Sequence, residues 1–234
     1  MKNIAVTTLP EQVTGKTQSH LTTLSSGHQV HKEIMQPITA LQQAALKSGF
    51  KIAIASGYRD FERQLNIWNA KFSGIRPVYD RQLDMVDMDS LNDWQKVQAI
   101  LHFSALPGSS RHHWGTDFDF YDRAAIDDNY QLQLSPQEYT HCGPFCGATN
   151  WLHTHAQQFG FYFPYQGAGT GVAPEPWHLS YFPIANQYLN KLADEPKLLF
   201  DLIVNEDIEG KSAILHNFEY IIDNYILNVV KTSE

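Results

Sequence analysis

Two short segments that lie far apart in the chain carry the residues that most restrict how it can fold. In the first, His112 and Asp119 stand on either side of Gly115, which marks a turn that can bring both side chains to one point. In the second, a proline-stiffened dipeptide separates Glu175 from His178. Hydrolytic zinc sites use three protein ligands drawn from histidine and carboxylate groups and keep a fourth position open for water. A fold that uses both segments must therefore bring them together around one metal ion.

The second segment offers both a metal ligand and a group for proton transfer. Zinc lowers the pKa of bound water to about 7, but peptide hydrolysis also needs a group that accepts the water's proton and delivers it to the departing amine. Glu175 suits that task, and His178 then completes the ligand set. Asp117 shares a strand face with Asp119, so it is either the ligand itself or a carboxylate that orients a ligand histidine. His113, adjacent to the first ligand histidine, is expected to point elsewhere.

Composition and charge exclude several classes of protein. The 234-residue chain has an ordinary globular composition and is expected to form one main domain with appendages. A formal net charge of −8 without Lys/Arg clusters argues against a nucleic-acid or anionic-membrane partner. The apolar runs are shorter than the roughly 18 residues of a spanning helix, so the chain is not expected to cross a membrane.

The N-terminus and the cysteines leave alternatives open. The first residues show no apolar stretch of signal-peptide length. The protein is therefore cytoplasmic, released by another route, or a periplasmic or cell-envelope protein whose leader was removed. Cys142 and Cys146 form either a small surface disulfide or two thiols, and two cysteines alone do not complete a metal site. The sequence does not predict the oligomeric state.

Hydrophobic periodicity gives the expected elements. Residues 1–24 are polar and without periodicity, which indicates an extended or loosely packed arm. Residues 50–55 alternate like a strand that runs into a loop, and residues 114–121 indicate a turn leading into a strand. Helices are expected from His28 to a stop at Gly49, at 63–72, 91–103 and 150–160, a short strand at 161–164, and further helices at 185–193, 195–204 and 211–230.

Three groups of residues match a known family in order and spacing. The chain resembles the zinc D-alanyl-D-alanine carboxypeptidases, the peptidase family M15 that includes the vancomycin-resistance carboxypeptidases and is related to the D,D-dipeptidases and to the hedgehog fold. The resemblance spans residues 28–182 approximately. The residues that carry it are Ser56-Gly57-Tyr58-Arg59 with Gln64, then Ser110-X-His112-X-X-Gly115-X-X-X-Asp119, and then Glu175-Pro176-Trp177-His178.

The resemblance assigns a role to each of the residues that could bind metal or move protons. It implies that His112, Asp119 and His178 bind one zinc ion and that Glu175 is the catalytic base. The family spacing favours Asp119 over Asp117 as the carboxylate ligand.

The resemblance also implies a set of substrate contacts. Arg59 is expected to face the scissile region, where its donors bind a substrate carboxylate or the tetrahedral oxyanion. Gln64 and Ser110 are expected to bind the peptide's terminal carboxylate. Apart from the resemblance, Trp114 and Trp177 are expected to wall the cleft, although packing alone would also explain two tryptophans.

The implied fold is α+β, with a small, mainly antiparallel sheet that carries the zinc site, flanking helices and a C-terminal helical extension. The expected organisation is an arm at 1–24, a catalytic domain at 25–184 and the extension at 185–234. The implied substrate is a peptidoglycan stem peptide or precursor that loses a terminal D-alanine. An L,D-carboxypeptidase or an endopeptidase on the same stem is the alternative within enzymes. A zinc-containing binding module without catalysis is the non-enzymatic alternative, against which the retention of Glu175 and Arg59 argues.

Overall fold

A four-stranded antiparallel sheet holds the two site segments side by side. The computed structural model describes residues 4–167 and 171–230. Its strands are β1 (Leu21–Thr23), β2 (Gln29–His31), β3 (Ile52–Ser56), β4 (Asp117–Asp122), β5 (Phe161–Tyr162) and β6 (His178–Tyr181). The sheet runs in the order β3-β4-β6-β5, and β1 pairs with β2 in a separate antiparallel ribbon.

Helices flank this sheet, so the expected α+β class with a small antiparallel sheet is confirmed. The α-helices are α1 (Pro10–Val13), α2 (Met35–Lys47), α3 (Phe61–Phe72), α4 (Asp93–Leu101), α5 (Pro136–Tyr139), α6 (Cys146–His155), α7 (Phe182–Asp194), α8 (Pro196–Asn205), α9 (Lys211–His216) and α10 (Phe218–Ile221). Short 3₁₀ turns lie at Lys32–Ile34, Met88–Ser90, Arg111–Trp114, Arg123–Ala125 and Ala156–Phe159, and a π-helical turn lies at Ile222–Ile226.

The pairing of β4 with β6 brings the two site segments together. In this register Asp119 lies opposite His178, and Asp117 lies opposite Ser180. Successive side chains of a strand point to opposite faces, so both aspartates point to the site face. Phe118 and its neighbour Phe120 point to the other face, where both are fully buried in the core.

Local signals explain where α3 and α4 begin. The Asp60 side chain accepts a hydrogen bond from the backbone N–H of Arg63, and Asn92 forms a capping box with Gln95. Both helices then bury one apolar face, with Trp68 of α3 fully enclosed. The two helices expected in this region are therefore confirmed.

The helix expected to start at His28 is wrong in its first residues, which form β2. The N–H of His31 donates to the Gly115 carbonyl at 2.8 Å, and Val30 is fully buried. The spacing of Val30 and Ile34 is compatible with a helix, but a strand here gives the backbone partners both in β1 and in the Gly115 turn. The helix α2 begins only after the following 3₁₀ turn.

The N-terminal arm is not loosely packed over its described residues, 4–24, so that expectation is wrong. Val13 is fully buried, and its carbonyl accepts a hydrogen bond from the Trp114 indole at 3.1 Å. The Gly15 carbonyl accepts one from the N–H of Phe61 at 3.0 Å. The polar composition of the arm concealed these contacts, because they are made largely by its backbone.

The C-terminal helices α7 to α10 lie near the expected positions, and α7 packs on the turn before β4. Tyr188 of α7 stacks on Trp114, with ring centroids 5.6 Å apart. The domain boundaries at 24 and 184 stay a prediction. Across the described residues, no helix combines the length and apolar character needed to cross a bilayer. Cys142 and Cys146 are both free thiols.

Gly115 gives a test of this architecture, because it has φ +68° and a side chain there would meet backbone. A Cβ would lie 2.7 Å from the His31 nitrogen, whereas at Gly27, which has φ +85°, it would meet no atom within 4 Å. We expect Gly27→Ala to lower the free energy of unfolding by about 1–2 kcal/mol from backbone strain. Gly115→Ala should cost a further 1–3 kcal/mol, approximately, from overpacking. Urea unfolding of the two metal-free variants measures the difference, and equal losses would contradict the packing described here.

Candidate active site

His112, Asp119 and His178 form one buried cluster. One ligand atom from each lies within 4.8 Å of the others. Nε2 of His112 is 3.6 Å from Oδ2 of Asp119, and Nδ1 of His178 is 3.4 Å from Oδ1 of the same carboxylate. The 3₁₀ turn at Arg111–Trp114 supplies the first histidine, and the paired strands β4 and β6 supply the other two residues. The structure therefore brings together the three residues that the sequence suggested.

Each histidine of the cluster has its second nitrogen fixed by a protein acceptor. Nδ1 of His112 lies 2.9 Å from the Gly57 carbonyl, which can only accept, so Nδ1 carries the proton and Nε2 offers its lone pair. Nε2 of His178 lies 3.0 Å from Oδ1 of Asp117 and donates to that carboxylate. Hydrogen bonds of this kind orient metal-binding imidazoles and select their tautomer.

Asp117 stands behind His178 rather than in the cluster. Its carboxylate is fully buried and accepts hydrogen bonds from Nε of Arg111 at 2.7 Å and from the Thr116 hydroxyl at 2.6 Å. Burial alone would raise the pKa of Asp117, but the Arg111 guanidinium outweighs it and holds that pKa well below its usual range. Asp117 is thus a permanent anion that faces the outer nitrogen of His178.

Sequence reasoning missed Arg111. Its Nη2 donates to the Ser180 hydroxyl at 2.7 Å and to the Tyr162 hydroxyl at 3.0 Å, and its guanidinium lies 4.8 Å from the Trp114 ring. Arg111 sits between two motif residues and looks like an ordinary surface cation. The available signal was the aspartate inside a strand, because a buried carboxylate needs a partner.

The backbone of Arg59 is hydrogen-bonded to the 3₁₀ turn that contains His112. The N–H of Arg59 donates to the His112 carbonyl at 3.2 Å, and Nδ1 of His113 lies 2.6 Å from the Arg59 carbonyl. His113 therefore points away from the cluster, and its Nε2 accepts from the N–H of Gly108 at 3.2 Å.

The electrostatics of the cluster suit a divalent cation. Burial raises the pKa of Asp119 to about 7, and Oδ1 of Asp119 is buried with no hydrogen-bond partner among the described residues. Burial opposes the charged form of His178, but hydrogen bonds to Asp117 and Glu175 prevail and raise its pKa to about 9. Burial, with Arg59 and His178 nearby, holds the pKa of His112 well below its usual value. Two imidazoles and one carboxylate fit zinc.

Glu175 borders the cluster from the segment before β6. Its Oε2 lies 3.3 Å from Nδ1 of His178, the nitrogen that faces Asp119. The Glu175 backbone is fixed at both ends, since its N–H donates to the Tyr165 carbonyl and its own carbonyl accepts from the N–H of His178, each at 3.1 Å. Trp177, two residues further on, packs on Tyr139 with ring centroids 5.8 Å apart.

A cavity of about 670 Å³ opens in front of the cluster. Arg59, Ser110, Glu175 and Trp177 all line it. Gln64 does not, since it is fully buried and both ends of its amide are occupied. Its Oε1 accepts from Nη1 of Arg59 at 2.7 Å, and its Nε2 donates to a backbone carbonyl at 2.6 Å. The contact of Gln64 with substrate stays a prediction, while the contact present in the structure orients Arg59.

A family model of the VanY D-alanyl-D-alanine carboxypeptidases matches residues 27–184. The chain belongs to this family. A structure of the vancomycin-resistance D,D-pentapeptidase VanY, a variant with Zn(II) bound, is 26% identical with a TM-score of 0.50, covering 72% of this chain and 83% of that one. A VanYB structure in complex with D-alanine-D-alanine is 25% identical with a TM-score of 0.51, covering 80% and 89%.

A relative known from sequence is an uncharacterised protein of Haemophilus influenzae. It is 50% identical over 101 residues, which cover 42% of this chain and 69% of the relative. These VanY-family similarities agree with the geometry of the cluster, which has the donor set of a zinc peptidase.

Metal binding to this VanY-type cluster should release protons. With the pKa of His178 at about 9 and that of Asp119 at about 7, the metal-free cluster holds protons at pH 7 that a bound zinc must displace. We expect release of about one to two protons per zinc at pH 7 and an affinity that rises with pH until about pH 9. Calorimetry in buffers of different ionisation enthalpy measures the release, and a value of zero at pH 7 would contradict these ionisation states.

Asp117→Asn should weaken zinc binding, because an amide supports the His178 proton less well than a carboxylate. We expect the zinc affinity to fall by about 10- to 100-fold. Asp122→Asn is the matched control, since Asp122 is buried at the far end of β4 and accepts from the N–H of Lys51 at 2.9 Å. Competition with a chromogenic chelator reports both affinities, and equal values for the two variants would show that Asp117 does not act through His178.

Proposed function

We propose that this chain removes the terminal D-alanine from peptidoglycan stem peptides, with a single zinc ion held by His112, Asp119 and His178. The observation that carries the proposal is that two imidazoles and a carboxylate converge beside the carboxylate of Glu175. These groups lie at the wall of a cavity that is large enough for the end of a peptide. The family membership supports the same activity.

The metal would supply one part of the chemistry. Held by these three residues, a zinc ion would act as a Lewis acid that activates water and polarises the peptide carbonyl. The remaining steps belong to side chains of this chain.

Glu175 is the proton carrier in this proposal. Its Oε2 lies beside the ligand nitrogen of His178, so it is placed to take a proton from the attacking water and then deliver it to the nitrogen of the leaving D-alanine. Arg59 supplies the positive charge that stabilises the developing oxyanion. Its Nη1 is held by Gln64, while its buried Nε has no hydrogen-bond partner among the described residues. Ser110 and Trp177 complete the wall on which the peptide lies.

Two alternatives remain: one changes the peptide bond that is cut, and the other makes the protein a binding module instead of an enzyme. An L,D-carboxypeptidase or an endopeptidase on the same stem would use the same metal and base. A silent zinc-binding module would not need a free carboxylate and a cation to share the cavity with the cluster, so the placement of Glu175 and Arg59 favours an enzyme. In this proposal the cellular location of the protein depends on its substrate. An enzyme that acts on mature stem peptides would lie in the periplasm or cell envelope, and one that acts on precursors would lie in the cytoplasm. Cell fractionation distinguishes these.

The zinc-loaded protein should release D-alanine from muropeptides that end in D-Ala-D-Ala. Parallel incubations with muropeptides ending in one D-alanine and with cross-linked forms, analysed by mass spectrometry, identify the bond that is cut. Glu175→Ala should lower turnover by at least about 100-fold while zinc stays bound, because the base is lost and the ligands are kept. Glu33→Ala, an exposed glutamate, serves as the control.

Failure to cleave any of these muropeptides would overturn the peptidase proposal. Loss of zinc from Glu175→Ala, measured by metal analysis, would instead make Glu175 a ligand and contradict its assignment as the base.

A further inference from the structure

The cavity extends beyond the reacting centre to two cations that no step above uses. Lys71 lies in the last turn of α3 and Arg76 in the loop that follows, and both line the same cavity as Arg59. The acidic residues on its walls are Asp119 and Glu175. A bound zinc ion would balance those two carboxylates, and Asp117 neutralises a fourth lining cation, Arg111. Three positive charges then remain in the cavity, on Arg59, Lys71 and Arg76. A cavity with such a surplus favours an anionic ligand, although the chain as a whole carries a net charge of −8.

Lys71 is held in position without a counter-ion. Its Nζ donates to the Ser104 hydroxyl at 2.6 Å, and among the described residues no carboxylate lies within ion-pair distance of it. An ammonium has three donors, so two remain for a ligand. Burial, together with the charges of Arg76 and Arg59, lowers the pKa of Lys71 to about 8, while Glu175 opposes the shift. A partly buried cation in this state gains from an added negative charge.

Arg76 is free to join the same ligand. Its backbone N–H donates to the Ala70 carbonyl at 2.8 Å, which fixes the loop. Its side chain is exposed and makes no hydrogen bond or ion pair within the described part of the chain. Gln64, by contrast, has both amide ends occupied inside the protein. Lys71 and Arg76 therefore offer donors in the cavity that Gln64 does not.

We propose that Lys71, braced by Ser104, forms with Arg76 a site that binds a free carboxylate of the peptide substrate and thereby sets which peptides are accepted. This inference rests on the proposed function, because the ligand is part of the same peptide. A stem peptide offers such a group in two places, the α-carboxylate of its last residue and a side-chain carboxylate further up the stem. Lys71 is a specificity residue here and takes no part in the proton transfer.

Binding and turnover are measured separately. The zinc-loaded Glu175→Gln protein is titrated by calorimetry with a pentapeptide ending in D-Ala-D-Ala, with its C-terminal amide and with its side-chain amide. Adding Lys71→Met should weaken binding of the free peptide by about 10- to 100-fold, and Lys71→Arg should restore much of it. The loss should disappear with whichever amide removes the carboxylate that the site binds. Lys47→Met, an exposed lysine on α2, is the charge-matched control.

Arg76→Gln provides a second variant that is safe for folding, because the side chain is exposed. We expect a several-fold loss of affinity for the free peptide. Two results would overturn the inference: unchanged binding in both Lys71→Met and Arg76→Gln, or equal losses for the free peptide and both amides. Absence of turnover by the unmodified enzyme would contradict the proposed function instead, and the affinities in the Glu175→Gln background would still report on Lys71.

Discussion

The buried ion pair between Arg111 and Asp117 is the interaction on which the rest of the site depends. Both groups are almost completely removed from water, which costs several kcal/mol per ion unless the charges are paired and fully hydrogen-bonded. Asp117 meets that condition with three donors, from Arg111, Thr116 and His178. A fixed anion at this position selects the tautomer of His178 and raises its basicity. His178, the proposed metal ligand, is thus prepared by charges that lie behind the cluster.

The grouping of His112, Asp119 and His178 was predictable from the sequence because it depends on short local patterns. His112 and Asp119 flank a glycine turn, and Glu175 precedes His178 within one stiff segment, so their approach needed only that the two segments meet. The register that places Asp119 opposite His178 was not predictable, since β6 has only four residues, too few for their polar and apolar alternation to select a partner strand. Long-range pairing is decided by the whole core rather than by the strand.

The elements that the sequence misplaced share a cause. The arm before residue 24 and the first residues after His28 are fixed by backbone hydrogen bonds to distant loops, through Val13, Gly15 and Gly115. Side-chain periodicity reports which face is apolar and carries no information about such bonds. Arg111 was overlooked because its burial is shown only indirectly, through the need of the buried Asp117 carboxylate for a cationic partner.

Burial also affects whether a role that a family resemblance implies for a residue can be fulfilled in this chain. Gln64 keeps the motif's residue type and position, yet its amide is used up by Arg59 and a backbone carbonyl, so its direct effect here is on the orientation of the guanidinium. A carboxylate that enters the cavity finds unused donors instead on Lys71, at a helix position two turns further on. Gln64 therefore fixes the geometry around Arg59, while in the proposed site the ligand carboxylate binds another side chain of the same helix.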